Sequence, residues 1–392
     1  MKKELLTLLL IVMSSCIVSC GNDTSTSNSL YEKEVIIVSR ATKIEQLIGD
    51  FDRQRQEPTS NLTGQRYNLF FTDLGAPFHH KERTYLLFGD TVPSANDPIA
   101  YTTDHSPGDG LELHFLQDNV GNYNPITIPG IRLSGFEVPM EGISIDDRMY
   151  IYATTDHTQK VTMGRSVVAV SEDDGFSFTY LYDFSSSHFI NLSIVKVDLS
   201  AWDGFPGSAG EGLVIFGSGK YRQSDVRLAF QPADSIESQS SILFFKGFDH
   251  SGMPLWGSLE SEADPLFSHP VAGELSVSYN THLRQWIMLY NADNAIVMRS
   301  AHKPWGPWSD AKIIFDPFED NGYGHFIHVS WEYEKIDSVH DPGRENEWGG
   351  VYGPYQFEEL ASGDSSSTTI YFTMSTWNPY TVVLMKAILG LD

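Results

Sequence analysis

One pattern constrains the fold of this chain more than any other. An apolar strand that runs into small or polar residues occurs five times. The copies are Leu86-Leu87-Phe88-Gly89-Asp90-Thr91, Tyr150-Ile151-Tyr152-Ala153-Thr154-Thr155, Val214-Ile215-Phe216-Gly217-Ser218-Gly219, Ile287-Met288-Leu289-Tyr290-Asn291 and Ile370-Tyr371-Phe372-Thr373-Met374-Ser375. Their centres fall at residues 88, 152, 216, 289 and 372. A repeat made only of strands predicts the blades of a β-propeller, here five. A propeller gathers one loop per blade around a central mouth, so the polar ends of the copies are where chemistry is expected.

No helical periodicity is sustained, and the strand-like runs are short and bounded by Gly, Pro, Asn and Asp, so the chain reads as all-β. An earlier strand precedes each copy: Phe70 to Phe78, Met140 to Ile145 and Gly273 to Tyr279 in blades one, two and four, with Gly210-Glu211 as a compressed version in blade three. Third strands follow at Val167 to Val170, Val226 to Phe230, Ile296 to Ser300 and Val382 to Ala387, and a fourth at Ile313 to Phe315. Blade five lacks a fourth strand, whereas Glu34 to Val38 is a strand without a local partner. Pairing the N-terminal strand into the last blade would close the ring and remove its open edges. The segment Ser171-Glu172-Asp173-Asp174-Gly175-Phe176-Ser177-Phe178 resembles the Asp-box turn of sialidase-like propellers, a structural feature in which the Asp satisfies turn amides.

The chain begins like an export signal. Lys2 and Lys3 precede a short apolar run, and Ile17-Val18-Ser19-Cys20 resembles a bacterial lipobox. The run is too short to span a bilayer. The expectation is a signal peptide over 1–19, lipidation at Cys20, a flexible polar tether over 20–32 and a propeller over 33–392. Such a protein would sit at the cell envelope on a lipid anchor, as a monomer. Cys16 and Cys20 are the only cysteines, so the mature chain would have neither a disulfide nor a thiolate metal site. A formal charge of −25 repels nucleic acid and suits a neutral partner such as a polysaccharide.

In a hairpin the start of the first strand lies beside the end of the second. Asp73 should therefore meet Asp90, Glu274 should meet Asn291, and Glu141 should meet Thr155 and Asp156. If the first strands start at the mouth, Asp73, Asp90, Glu141, Glu211 and Glu274 converge there. Convergent carboxylates suit glycoside hydrolysis, which needs one acid held protonated and one ionised. Asp73 is expected as base or nucleophile, Asp90 as the neighbour that tunes it, and Glu274 or Glu141 as the acid. Each could instead cap a turn or pair with a cation. Lys220, Arg222, His157, Asn291, His325 and Trp377 fall at the same ends as candidate substrate contacts, with Trp377 suited to stacking on a sugar ring. His325 and His328 lack a third histidine for zinc, and no motif supports a carboxylate-bound central cation. No cofactor is expected.

Thr72-Asp73-Leu74-Gly75, Phe88-Gly89-Asp90-Thr91, Gly273-Glu274-Leu275-Ser276-Val277, Gly306-Pro307-Trp308-Ser309, Tyr352-Gly353-Pro354-Tyr355 and Ser375-Thr376-Trp377-Asn378-Pro379-Tyr380 occur in that order. Together they resemble the bacterial family known as domain of unknown function 4185. The resemblance implies a five-bladed propeller that is exported and glycan-active. Members of that family are endo-acting D-arabinofuranan hydrolases of glycoside hydrolase family 183, which implies a D-arabinan substrate. The competing expectations are a glycan-binding surface lipoprotein without turnover and a purely structural envelope protein.

Overall fold

The second strand of each blade is buried over most of its length. In the computed structural model, which describes residues 33–158 and 163–392, these strands are Arg83–Phe88, Arg148–Thr155, Glu211–Ser218, Gln285–Ala292 and Ser367–Trp377. Each holds one copy of the repeat. Both faces of such a strand pack against neighbouring blades, which is why the sequence there is apolar almost without alternation. Full burial of a side chain such as Phe216 or Phe372 contributes about 2–3 kcal/mol.

Each blade is an antiparallel sheet, and together they form a five-bladed propeller over Glu34–Asp392. The inner strands are Leu74–His80, Pro139–Ile145, Asn191–Asp198, Leu275–Asn280 and Gly350–Gln356. They neighbour one another in ring order, and the last returns to the first. Five apolar clusters fill the five junctions. One example joins Leu86 and Phe88 of blade one to Val382 and Leu384 of blade five. Another joins Val214 and Phe216 of blade three to Trp286 and Met288 of blade four.

Val35–Gln46 is the outermost strand of blade five, antiparallel to Thr381–Leu391, with Val35 opposite Leu391 and Gln46 opposite Val383. The ring therefore closes as expected, with a strand longer than Glu34 to Val38. Blade three departs from expectation. Its inner strand is Asn191–Asp198, and Asp198 pairs with Glu211 at the far end of the hairpin. Gly210-Glu211 is thus the start of the second strand and not a remnant of the first.

The Asp-box turn joins the third and outer strands of blade two, at the end opposite the starts of the inner strands. Asp173 accepts hydrogen bonds from Ser171 Oγ at 2.8 Å and Ser177 N at 2.9 Å, and Gly175 takes a φ of +95° that few other residues would adopt. The export signal, Cys20 and the tether lie outside the described residues.

Candidate active site

The starts of the inner strands and the ends of the second strands share one rim. In blade one the junction is tight. Gly89 N donates to Asp73 O at 3.0 Å, and Thr72 Oγ1 donates to Gly89 O at 2.6 Å. Leu74 has a φ of +65°, costly for a residue with a branched side chain, and its N–H is held by Ser375 Oγ at 2.7 Å. This strained turn aims Asp73 across Gly89. A Cβ at Gly89 would strike Asp73 Oδ1, which explains the glycine of Phe88-Gly89-Asp90. In blade four Asn291 N donates to Glu274 O at 3.2 Å and Gly273 N to Asn291 O at 3.0 Å, so this pair also meets as expected.

Asp73, Asp90 and Glu274 line one cavity of about 240 Å³ at this rim, together with Tyr221, Arg222, Tyr352, Trp377 and Tyr380. Asp73 is buried. Its Oδ2 accepts the Tyr352 hydroxyl at 2.7 Å, whereas Oδ1 is without a partner among the described residues. Burial pushes its carboxyl up to about 7, the negative charges of Asp90 and Glu274 push the same way, and the Tyr352 and Tyr380 hydroxyls oppose them. Asp90 accepts Phe136 N at 2.6 Å on Oδ2 and has a buried Oδ1 without a partner among the described residues. Burial raises its carboxyl too, against the backbone hydrogen bonds. Glu274 instead faces a cation, with Arg222 Nη2 at 3.3 Å from Oε1. The Arg222 guanidinium also lies 4.6 Å from the Tyr221 ring centre and 5.6 Å from that of Tyr352. Two carboxyl groups of raised pKa and one charge-compensated carboxylate thus share a partly open pocket. Trp377, 41% exposed, supplies an aromatic face at its edge.

The other candidates fall elsewhere. Glu141 pairs across the hairpin with Tyr152, because a register shift between Pro139 and Glu141 moves it down the strand. It lines a second cavity of about 340 Å³, lower in the central channel, with residues from all five inner strands. Ile194 N and Gly142 N each donate to it at 3.0 Å, and burial still pushes it to about 8. The acid that meets the end of the blade-two hairpin is Glu137. It accepts His157 N at 3.0 Å and pairs with Arg132. His157 is therefore tied to Glu137 behind the mouth. Glu211 is on the opposite face, paired with Lys196 at 3.2 Å, because the inner strand of blade three precedes it by a long loop. Lys220 lines a separate shallow surface depression beside His188 and Gln223. Asn291 is buried behind Glu274 against Gly273, and His325 is exposed on the connection between blades four and five. Neither lines the mouth cavity.

Sequence reasoning missed Tyr352, Tyr380 and Phe136. Tyr352 and Tyr380 stand in the motifs Tyr352-Gly353-Pro354-Tyr355 and Asn378-Pro379-Tyr380, so the signal was present. Among the described residues no group of three or more His, Cys, Asp or Glu is placed to hold a metal ion.

One solved structure shares this architecture at low identity, and others are similar to a lesser degree. A candidate hydrolase from Bacteroides ovatus matches with a TM-score of 0.54 and 12% identity, over 83% of this chain and 87% of that one. An exo-β-1,3-galactanase from Phanerochaete chrysosporium, solved with β-1,3-galactotriose, gives a TM-score of 0.47 and 9% identity over 88% of this chain and 64% of that one. No curated protein matches the sequence. The description Domain of unknown function (DUF4185) fits residues 59–386, from ahead of the first inner strand into the last strand of blade five, and the chain belongs to that family.

Proposed function

We propose that this protein is a glycoside hydrolase that cleaves an exported polysaccharide, with a D-arabinofuranan as substrate. The observation that carries the reading is the mouth cavity, where Asp73 is held near a pKa of 7 beside a carboxylate, Glu274, whose charge Arg222 compensates. Hydrolysis of a glycosidic bond needs this division of labour. Asp73 gives its proton to the leaving oxygen, and Glu274 carries the negative charge that activates water or attacks the anomeric carbon. Asp90 raises the proton affinity of Asp73 from alongside. These roles reverse those expected for Asp73 and Glu274, because Asp73 is the acid whose proton burial retains, whereas Glu274 is the one that faces a guanidinium. Trp377 stacks on a sugar ring at the rim. The choice of D-arabinofuranan rests on the motif resemblance to glycoside hydrolase family 183. Attachment to the cell envelope through Cys20 rests on the lipobox.

The test is to incubate the purified protein with D-arabinan, L-arabinan and galactan and to separate the products by size. Oligosaccharides from D-arabinan are expected. Binding of D-arabinan without any products would favour the glycan-binding reading, and no products from any of the three would end the hydrolase reading.

A further inference from the structure

A row of exposed aromatic side chains continues from the mouth onto the connection between blades four and five. Trp377 is the first. Its neighbour Asn378 donates through Nδ2 to Trp348 O, and Arg344 binds Asn378 Oδ1, so the Trp348 segment is fastened to the rim. Trp348, 46% exposed, meets the Tyr333 ring edge-on with centres 4.9 Å apart. Tyr333 rests in turn on Phe318 at 4.9 Å. Trp331 stands on the same short 3-10 turn as Tyr333, Trp331–Tyr333, and is 75% exposed.

Large aromatic rings left in water cost free energy unless something covers them. Here Trp348 and Tyr333 brace each other edge-on and Tyr333 rests on Phe318, so these two rings are presented at little cost in side-chain order, and the short turn carries Trp331 beside them. Tryptophan and tyrosine also suit a polar partner with apolar faces, since each combines a flat ring with a hydrogen-bonding tip. The row starts at the residue that lines the active cavity, which points to an occupant that begins in that cavity and runs outward.

We infer that Trp348, Tyr333 and Trp331 form a platform that binds the part of a polysaccharide chain extending beyond the mouth. The inference rests on the hydrolase reading for its catalytic readout but not for its binding readout. A chain held there is long, so the platform acts on polymers and leaves short oligosaccharides alone.

The experiment compares wild type with the double variant Trp331→Ala/Trp348→Ala. Both positions are exposed, so the fold should persist, and an unchanged melting temperature checks this. The double variant is expected to raise KM for D-arabinan about tenfold, with kcat unchanged and short D-arabino-oligosaccharides turned over as before. In the Asp73→Asn background, D-arabinan affinity should fall by a similar factor. An unchanged KM and affinity for the polymer would overturn the platform, including in favour of a protein-binding role for the same surface. Binding by wild type without cleavage, lost in the double variant, would keep the platform and remove the hydrolase reading. Failure of wild type to bind or cleave D-arabinan would overturn the platform for this polymer.

Discussion

Tyr352 donates its hydroxyl hydrogen to Asp73 Oδ2 across 2.7 Å, tying the inner strand of blade five to the start of blade one. The bond favours the ionised form of Asp73 and so opposes the burial that raises its pKa to about 7. If Asp73 is the proton donor, activity falls as pH climbs through that value. Tyr352→Phe removes the donor and moves the pKa further up. The basic limb of the pH–rate profile should shift to higher pH by up to about one unit, the worth of one such hydrogen bond. A limb that stays in place or moves to lower pH contradicts the assignment.

Gly89 lies against Asp73 Oδ1 so closely that a methyl group there would strike the carboxyl and the Val138 side chain. Gly89→Ala should rotate Asp73 out of position and lower kcat by about a hundredfold, since small displacements of a reacting group are costly. Circular dichroism of the variant should remain that of the wild type. Near-normal turnover would show that the orientation of Asp73 is not critical.

Glu141 makes a prediction about stability and not about catalysis. Its carboxyl is raised to about 8 in the folded protein, against about 4.3 for an unfolded chain. The folded state therefore binds more protons between those values. The stabilising contribution is complete below the unfolded pKa and lost as pH rises through the folded one, by at most about 1.4 kcal/mol per pH unit. Asp73 acts in the same direction up to about 7. Urea unfolding at pH 5 and pH 8 should show wild type losing stability, with a smaller difference for Glu141→Gln. Equal slopes in the two proteins would mean that Glu141 is ionised in the native channel.

The ring was legible because each second strand is clamped between blades, which forces an unbroken apolar run that ends in polar residues at a face. The closing strand was legible because Val35 to Val38 has β-branched residues and no neighbour in sequence. Blade three hid its inner strand. Asn191–Asp198 opens with an amide where Leu74 and Leu275 each follow an acid, and residues 199–210 separate it from its partner. Glu141 was misplaced because one irregular step between Pro139 and Glu141 changes its depth. Asp73 and Asp90 came together as hairpin geometry required, and Glu274 and Arg222 were expected at the same rim, whereas the hydrogen bond from Tyr352 of blade five to Asp73 of blade one joins residues far apart in sequence.

Asp73, as the proposed proton donor, is the residue on which cleavage depends most. The direct measurement is the turnover of Asp73→Asn on D-arabinan beside its melting temperature. Loss of the acid should lower kcat by about a thousandfold or more, while the melting temperature stays within a few degrees of wild type or rises, since the amide replaces a buried acid without a charge to desolvate. Retained turnover, or a large fall in melting temperature, would contradict the account and return Asp73 to a structural role.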